Sequence, residues 1–489
     1  MLPLLGLLGL AAPATASYAF YVGKNLTESG HVLLGGTGEE VSSHWLQLFP
    51  AQDHPSNATI TVGVTQDASY PGKLITIPQV NHTWRYMSME YSDFEGFPAP
   101  LTNGGLNEKG VAVRDVWASN RDELTEMTPN PQTGVQYSDL ARIVMERAST
   151  AREGVEIIGD LIKKHGFATY GGNSHLIADK VEGWVVWEFA GGEKLWAAEQ
   201  LGPDVVRVSY PGYIEEFPVD FAGSRDYMGS ENLVDFAVAQ GWWDPDGDEP
   251  FNVFKAYGVQ CDSYHARTGG FKYMSQAALE NATLAMVPVT EKDLMKRVRD
   301  PRICDDQPGY GQVIRVYEPE DPDLYLIWNA ATGSVAAPFV PWYLGVEDVP
   351  PEFGQHRYLT TVFAGRVFKR VLYYMCSAPK RFLPLVTDMY TSFEEESAAA
   401  ATTWVETAAK MLLEAGDRDA ARKMLTFFSH TRAYKSLEIG KTLTDALDGY
   451  IKLSGVWQTP KGDLINEMGS NERMNCLTGI NPDKPADQQ

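Results

Sequence analysis

A chain of 489 residues with 44% hydrophobic content and 12 tryptophans can bury a large core, which excludes a disordered protein. Its formal net charge of −23 repels nucleic acid and anionic lipid alike, so neither is expected as a partner. Beyond the N-terminus no run of 18 or more apolar residues occurs, and the mature chain is expected to carry no membrane span.

Residues 1–16, MLPLLGLLGLAAPATA, are uncharged, leucine-rich from Leu2 to Leu10, and end in Ala14-Thr15-Ala16. Small-x-small is the pattern at which signal peptidase cuts, and the apolar stretch is too short to span a bilayer. The expectation is a removable secretory signal, a secreted extracellular chain, and Ser17 as its first residue; a buried N-terminal strand is the alternative. Four Asn-x-Ser/Thr sites, at Asn25, Asn57, Asn81 and Asn281, suit a glycoprotein. Cys261, Cys304, Cys376 and Cys476 form an even set that allows two disulfides in three pairings, with free buried thiols as the other reading.

From Tyr18 the chain reads as a hairpin: YAFYVG, a polar turn from Asn25 to Gly30, then HVLLGG. Strand-like runs follow at Thr59 to Thr65, Leu74 to Val80, Gly110 to Trp117, Ser174 to Asp179, Gly183 to Ala190 and Val205 to Tyr210. Between them, Tyr137 to Glu146 and Arg152 to His165 carry apolar residues at helical spacing, with Ser149 or Thr150 as N-cap and Gly166 as stop for the second. Two more strands are expected at Gln312 to Tyr317 and Leu324 to Trp328. The chain then turns helical at Phe393 to Ala415, Asp417 to Phe428 and Leu437 to Leu453, which are rich in good helix formers. The organisation expected is a signal over 1–16, an α+β domain over 17–360, a helical extension packed on it over 361–470, and a polar tail over 471–489.

A hydroxyl nucleophile needs a base, and a residue at the chain terminus carries one in its own α-amine, whose pKa lies near 7.7–8.0. Ser17 would have both once residues 1–16 are gone; before cleavage its nitrogen is an amide and cannot accept a proton.

Ser17-Tyr-Ala-Phe-Tyr-Val-Gly-Lys24, the Ser29-Gly30 turn, Asn107-Glu-Lys-Gly-Val-Ala112, Ala151 to Ile158, His175-Leu-Ile-Ala-Asp179 with Trp184, and Val335 to Val346 recur in one order. In that order they resemble the dipeptidase A family of N-terminal-nucleophile hydrolases, relatives of choloylglycine hydrolase and penicillin V acylase. The resemblance implies an αββα sandwich of antiparallel sheets, with the nucleophile at the start of the first strand and hydrolysis of dipeptides or small peptides. An N-acyl amidase or acylase, or a catalytically silent binding glycoprotein on the same scaffold, are the alternatives. No cofactor is implied, and the nine histidines contain no zinc-binding spacing. Asp244 to Asp248 opens like a calcium loop but has Glu249 where the glycine is required. The partner expected is a small peptide or amide, and a homo-oligomer is compatible with this reading.

The resemblance also implies site residues, with departures. Family members start with Cys, where this chain has Ser17. The family's Arg-Asn-x-Asp falls on Gly36-Thr37-Gly38-Glu39, so the arginine is missing and Glu39 takes the place of the acid that tunes the terminal amine. The oxyanion-binding Asn is missing near Ser209-Tyr210, leaving Tyr210, backbone N–H groups, or Asn173 as donors. Asp115 stands where relatives carry an acid. Arg114 beside it puts a second charge into the apolar strand VAVRDVW, where a buried charge needs a partner. Arg267 occupies the place of an active-site arginine and is the expected partner of a substrate carboxylate.

Overall fold

The structure, a computed structural model, describes residues 17–38, 44–92, 96–209, 214–259, 276–304, 309–354 and 362–454. In chain order the strands are β1 Tyr18–Val22, β2 Val32–Gly38, β3 His44–Phe49, β4 Gln52–Asp53, β5 Thr59–Val62, β6 Ile75–Pro78, β7 His82–Thr83, β8 Tyr86–Tyr91 and β9 Leu101–Asn107. They continue as β10 Ala112–Trp117, β11 Asn173–Ala178, β12 Gly183–Glu188, β13 Trp196–Leu201, β14 Val206–Ser209, β15 Tyr227–Gly229, β16 Tyr310–Val316, β17 Leu326–Ala330 and β18 Val340–Tyr343.

These strands form a six-stranded sheet, β14-β1-β2-β16-β17-β18, and an eight-stranded sheet, β15-β13-β12-β11-β10-β9-β8-β3, antiparallel throughout, with two short ribbons beside them. Both sheets are buried on both sides, which is why their strands read as nearly continuous apolar runs. The inner faces meet in one core in which Leu34 and Ile314 of the first sheet join Val116, Leu176, Val185 and Trp187 of the second.

The outer face of the eight-stranded sheet carries Val113, Ile177, Trp184 and Val186, covered by the helices Tyr137–Arg147 and Ala151–His165. The helix Glu291–Val298 covers the outer face of the six-stranded sheet: a Cβ on Gly35 would stand 3.2 Å from Leu294. The layer order is helix, sheet, sheet, helix, as expected. Each large apolar side chain buried between layers contributes roughly 1.5–3 kcal/mol.

The expected hairpin forms as β1 against β2, with Gly30 at φ +69° in the turn. Thr150 caps its helix by accepting from the Glu153 N–H, and Gly166 ends it at φ +88°. The C-terminal helices depart from expectation. A helix Ala364–Met375 was not foreseen, the next starts at Pro379 rather than Phe393, and the last two expected helices are one, Arg418–Ser454, of 37 residues. The stretch between them holds no Gly or Pro, and its Ser429, Ala433 and Ser436 are buried in line with Leu425 and Leu437. Small residues there let the helix lie close to β18, where the Tyr343 N–H reaches the Ser429 hydroxyl at 3.5 Å. Polar residues that look like a break are a docking stripe.

Among the cysteines, Cys304 is buried with its thiol 3.7 Å from the Ser334 hydroxyl. Cys261 and Cys476 lie outside the described residues.

Candidate active site

Ser17 precedes β1 and is 4% exposed. Side chains alternate along a strand, so Ser17, Ala19 and Tyr21 share one face. Tyr21 shows which one: a Cβ on Gly183 of β12 would meet its ring, and its hydroxyl donates to the Leu201 carbonyl at 3.1 Å. Ser17 therefore faces the eight-stranded sheet. Tyr18 pairs with Thr37, and Gly38 pairs with Tyr310, so Ser17 lies at the level of Gly38 and Tyr310 across three neighbouring strands.

This end of the inter-sheet space is lined by polar side chains rather than by the aliphatic core. Ser209, paired with Ala19, joins its hydroxyl to that of Ser174 on the facing sheet at 2.8 Å. Gln312, paired with Gly36, donates to Asn329 Oδ1 at 3.2 Å, while its own carbonyl oxygen is buried without a hydrogen-bond partner. From the eight-stranded sheet Arg114 enters fully buried. Its Nη1 donates to the Asn103 carbonyl at 3.0 Å and the Tyr310 hydroxyl at 3.4 Å, and its Cζ lies 5.4 Å from the Tyr310 ring centroid. Its Nε and Nη2 have no hydrogen-bond partner. Buried polar groups are nearly always satisfied, so such atoms mark a place where the fold alone does not complete the bonding.

The candidates expected beside Ser17 separate by face. Asp115 and Asn173 are odd-numbered on β10 and β11, like Val113 and Ile177, and point at the helix layer. There Asp115 lies near His175, which bonds Glu188 at 2.7 Å through Nδ1 and the Tyr137 carbonyl at 3.1 Å through Nε2. Burial opposes the charge on His175, but Glu188 and Asp115 outweigh it and hold its pKa above the ordinary value. Asn173 donates to the Ser174 carbonyl at 3.1 Å. The period-two pleat is the reason: a residue one step from the site face lies on the other side of the sheet.

Glu39, Tyr210 and Arg267 lie outside the described residues; Glu39 follows Gly38 and Tyr210 follows Ser209 in the chain. In the sequence Arg114 is visible as a charge in an apolar strand, but its place on this face is not, nor are Tyr310, Gln312 and the Ser174–Ser209 link. Only strand register assigns these to one face.

Residues 51–285 match the model of peptidase family C69. A probable dipeptidase B of Streptococcus pyogenes serotype M3 is 27% identical over 262 residues, 53% of this chain and 49% of that protein. A probable dipeptidase of Latilactobacillus sakei is 26% identical over 256 residues, 51% of this chain and 50% of that protein. The chain thus spans about half the length of the curated relatives it matches. Among solved structures, a variant of conjugated bile acid hydrolase from Clostridium perfringens aligns at 10% identity and a TM-score of 0.32, covering 64% of this chain and 89% of that one. Over about half of its length, then, the chain is similar to peptidase family C69 and to proteins named as probable dipeptidases.

Proposed function

We propose that this protein hydrolyses the amide bond of dipeptides or small peptides, with Ser17 as an N-terminal nucleophile released by removal of residues 1–16. The observation that carries the reading is the position of Ser17: at the head of β1, inside the six-stranded sheet, facing the polar end of the inter-sheet space. In this mechanism the Ser17 α-amine takes the Oγ proton as Oγ attacks the scissile carbonyl. The same amine returns that proton to the leaving nitrogen, and water then hydrolyses the acyl ester. Glu39 would tune the amine and Tyr210 or backbone N–H groups would steady the oxyanion, as the resemblance implies.

Secretion belongs to the same proposal. It rests on the small-x-small cleavage pattern and on all four sequon asparagines being exposed. The test is N-terminal sequencing of exported protein followed by assay on a dipeptide panel. A mature chain beginning at Ser17 that cleaves dipeptides, loses about 10³-fold or more in kcat/KM as Ser17→Ala, and is silent while residues 1–16 remain attached supports the reading. Full activity with residues 1–16 still in place would overturn it, because the base would then be an amide.

A further inference from the structure

We propose that Arg114 is the anion-binding residue of this site, and that the substrate it selects carries a carboxylate next to the scissile amide. The inference rests on the reading of Ser17 as the reacting group, and it adds a recognition element from the opposite sheet.

Three observations support it. Arg114 is fully buried on the inter-sheet face, yet two of its nitrogens bond to nothing. No carboxylate among the described residues forms an ion pair with it, and its chain neighbour Asp115 faces the other layer. A guanidinium taken out of water without an anion is costly, and a bidentate carboxylate is the ligand whose geometry matches two adjacent free N–H donors. The Tyr310 hydroxyl at 3.4 Å and the Asn103 carbonyl at 3.0 Å anchor Nη1 and leave Nε and Nη2 for a ligand.

The chamber is also shaped so that this cation comes from β10. Gly36, where the family resemblance places an arginine, has no room for a side chain: a Cβ there would stand 2.3 Å from the Tyr18 carbonyl oxygen and 3.2 Å from Ala19 Cα. The strands β1 and β2 approach too closely at that point. Gly36 pairs with Ala19 and Gly38 with Tyr310, so the glycine-bearing end of β2 lies between Ser17 and the ring that Arg114 touches. The positive group thus faces Ser17 across the gap between the sheets, where a short substrate can span both.

The test uses the mature chain beginning at residue 17 with Ser17→Ala, so that binding is read without turnover. Calorimetry compares alanyl-alanine with its C-terminal amide, the same ligand without the negative charge. Alanyl-alanine is expected to bind roughly ten- to a hundredfold more tightly. R114Q should abolish that ratio and leave the affinity for the amide within about twofold, R114K should keep part of it, and R267Q should leave it in place.

Equal weakening of both ligands by R114Q would assign Arg114 a structural role and overturn the proposal, as would loss of the ratio in R267Q with retention in R114Q. The comparison without an Arg114 change stands on its own if R114Q does not fold: no preference for the carboxylate sinks the inference. A chain that binds the carboxylate through Arg114 but hydrolyses no dipeptide would refute the peptidase reading and leave this one standing.

Discussion

Arg114 and Asp115 are consecutive in β10 and serve opposite layers of the molecule. Arg114 reaches Tyr310 of the facing sheet at 3.4 Å, while Asp115 stands on the helix side near His175 and accepts from Asn103 Nδ2 at 3.2 Å. One peptide step separates a candidate substrate contact from a group that braces the sheet.

That separation makes Asp115→Asn a stability variant. Removing the charge unbalances the His175–Glu188 group beneath the Tyr137–Arg147 helix, and a loss of about 1–3 kcal/mol is expected. The kcat/KM of the folded fraction on the preferred dipeptide should stay within about tenfold. Thermal melts beside kinetics check this; a fall of a thousandfold with an unchanged melt would place Asp115 at the reacting atoms.

Glu90 should give the protein a pH-dependent stability. It is buried under the eight-stranded sheet, where its carboxylate accepts from the Ser88 hydroxyl at 2.5 Å, and burial pushes its pKa up to about 7 against the opposing pull of Ser88, Thr102 and Arg142. An acid whose pKa is raised by folding binds its proton more tightly in the native state. Its contribution is therefore fully present below the unfolded value near 4.5 and declines as pH rises through about 7. The full loss is roughly 3 kcal/mol. Denaturant unfolding at pH 5 and pH 8 should show Glu90→Gln losing less stability across that interval than the parent; identical slopes would remove Glu90 as the cause.

Asp323 ties the C-terminal helix to the sheets. It accepts from Arg418 at 2.6 Å and Arg422 at 2.8 Å on the helix Arg418–Ser454, and from Arg85 next to β8 at 3.4 Å. Burial alone would raise its pKa, but Arg422 and Arg418, with Arg85, more than offset this and depress it. A depressed carboxyl stabilises above its unfolded value near 3.8 and loses that contribution as pH falls through the lower folded value. Asp323→Asn is expected to cost about 2–3 kcal/mol at neutral pH, less than for a fully buried pair because Arg418 and Arg422 are partly solvated. The same variant should flatten the acid side of the stability profile below about pH 4. Limited proteolysis should then cut first within 364–454; cleavage spread evenly over the chain would argue against a local tether.

Local chemistry made much of this protein legible in advance. The Gly30 turn joins two apolar runs that become β1 and β2, Thr150 and Gly166 bracket a helix of the expected length, and the family order of short motifs pointed to the dipeptidase relatives. Each depends on backbone preferences within a few residues, or on the order of motifs. The 37-residue helix was less legible because Ser429 and Ser436 look polar in isolation and act as contact points only once β18 lies beside them.

The site divides the same way. Residue type and position along the chain singled out Ser17 and flagged the charges at Arg114 and Asp115. Which of those charges shares a face with Ser17 was decided by strand register, because a pleat turns successive side chains to opposite layers and only the partner strands fix which layer is which. The sequence by itself determined many of the elements and the place of Ser17 at the head of the first strand. The tertiary structure decided that Arg114, Tyr310 and Gln312 share the inter-sheet face while Asp115 and Asn173 are on the other, since the strand pairings and sheet contacts that set those faces join residues far apart in the chain, which no local preference encodes.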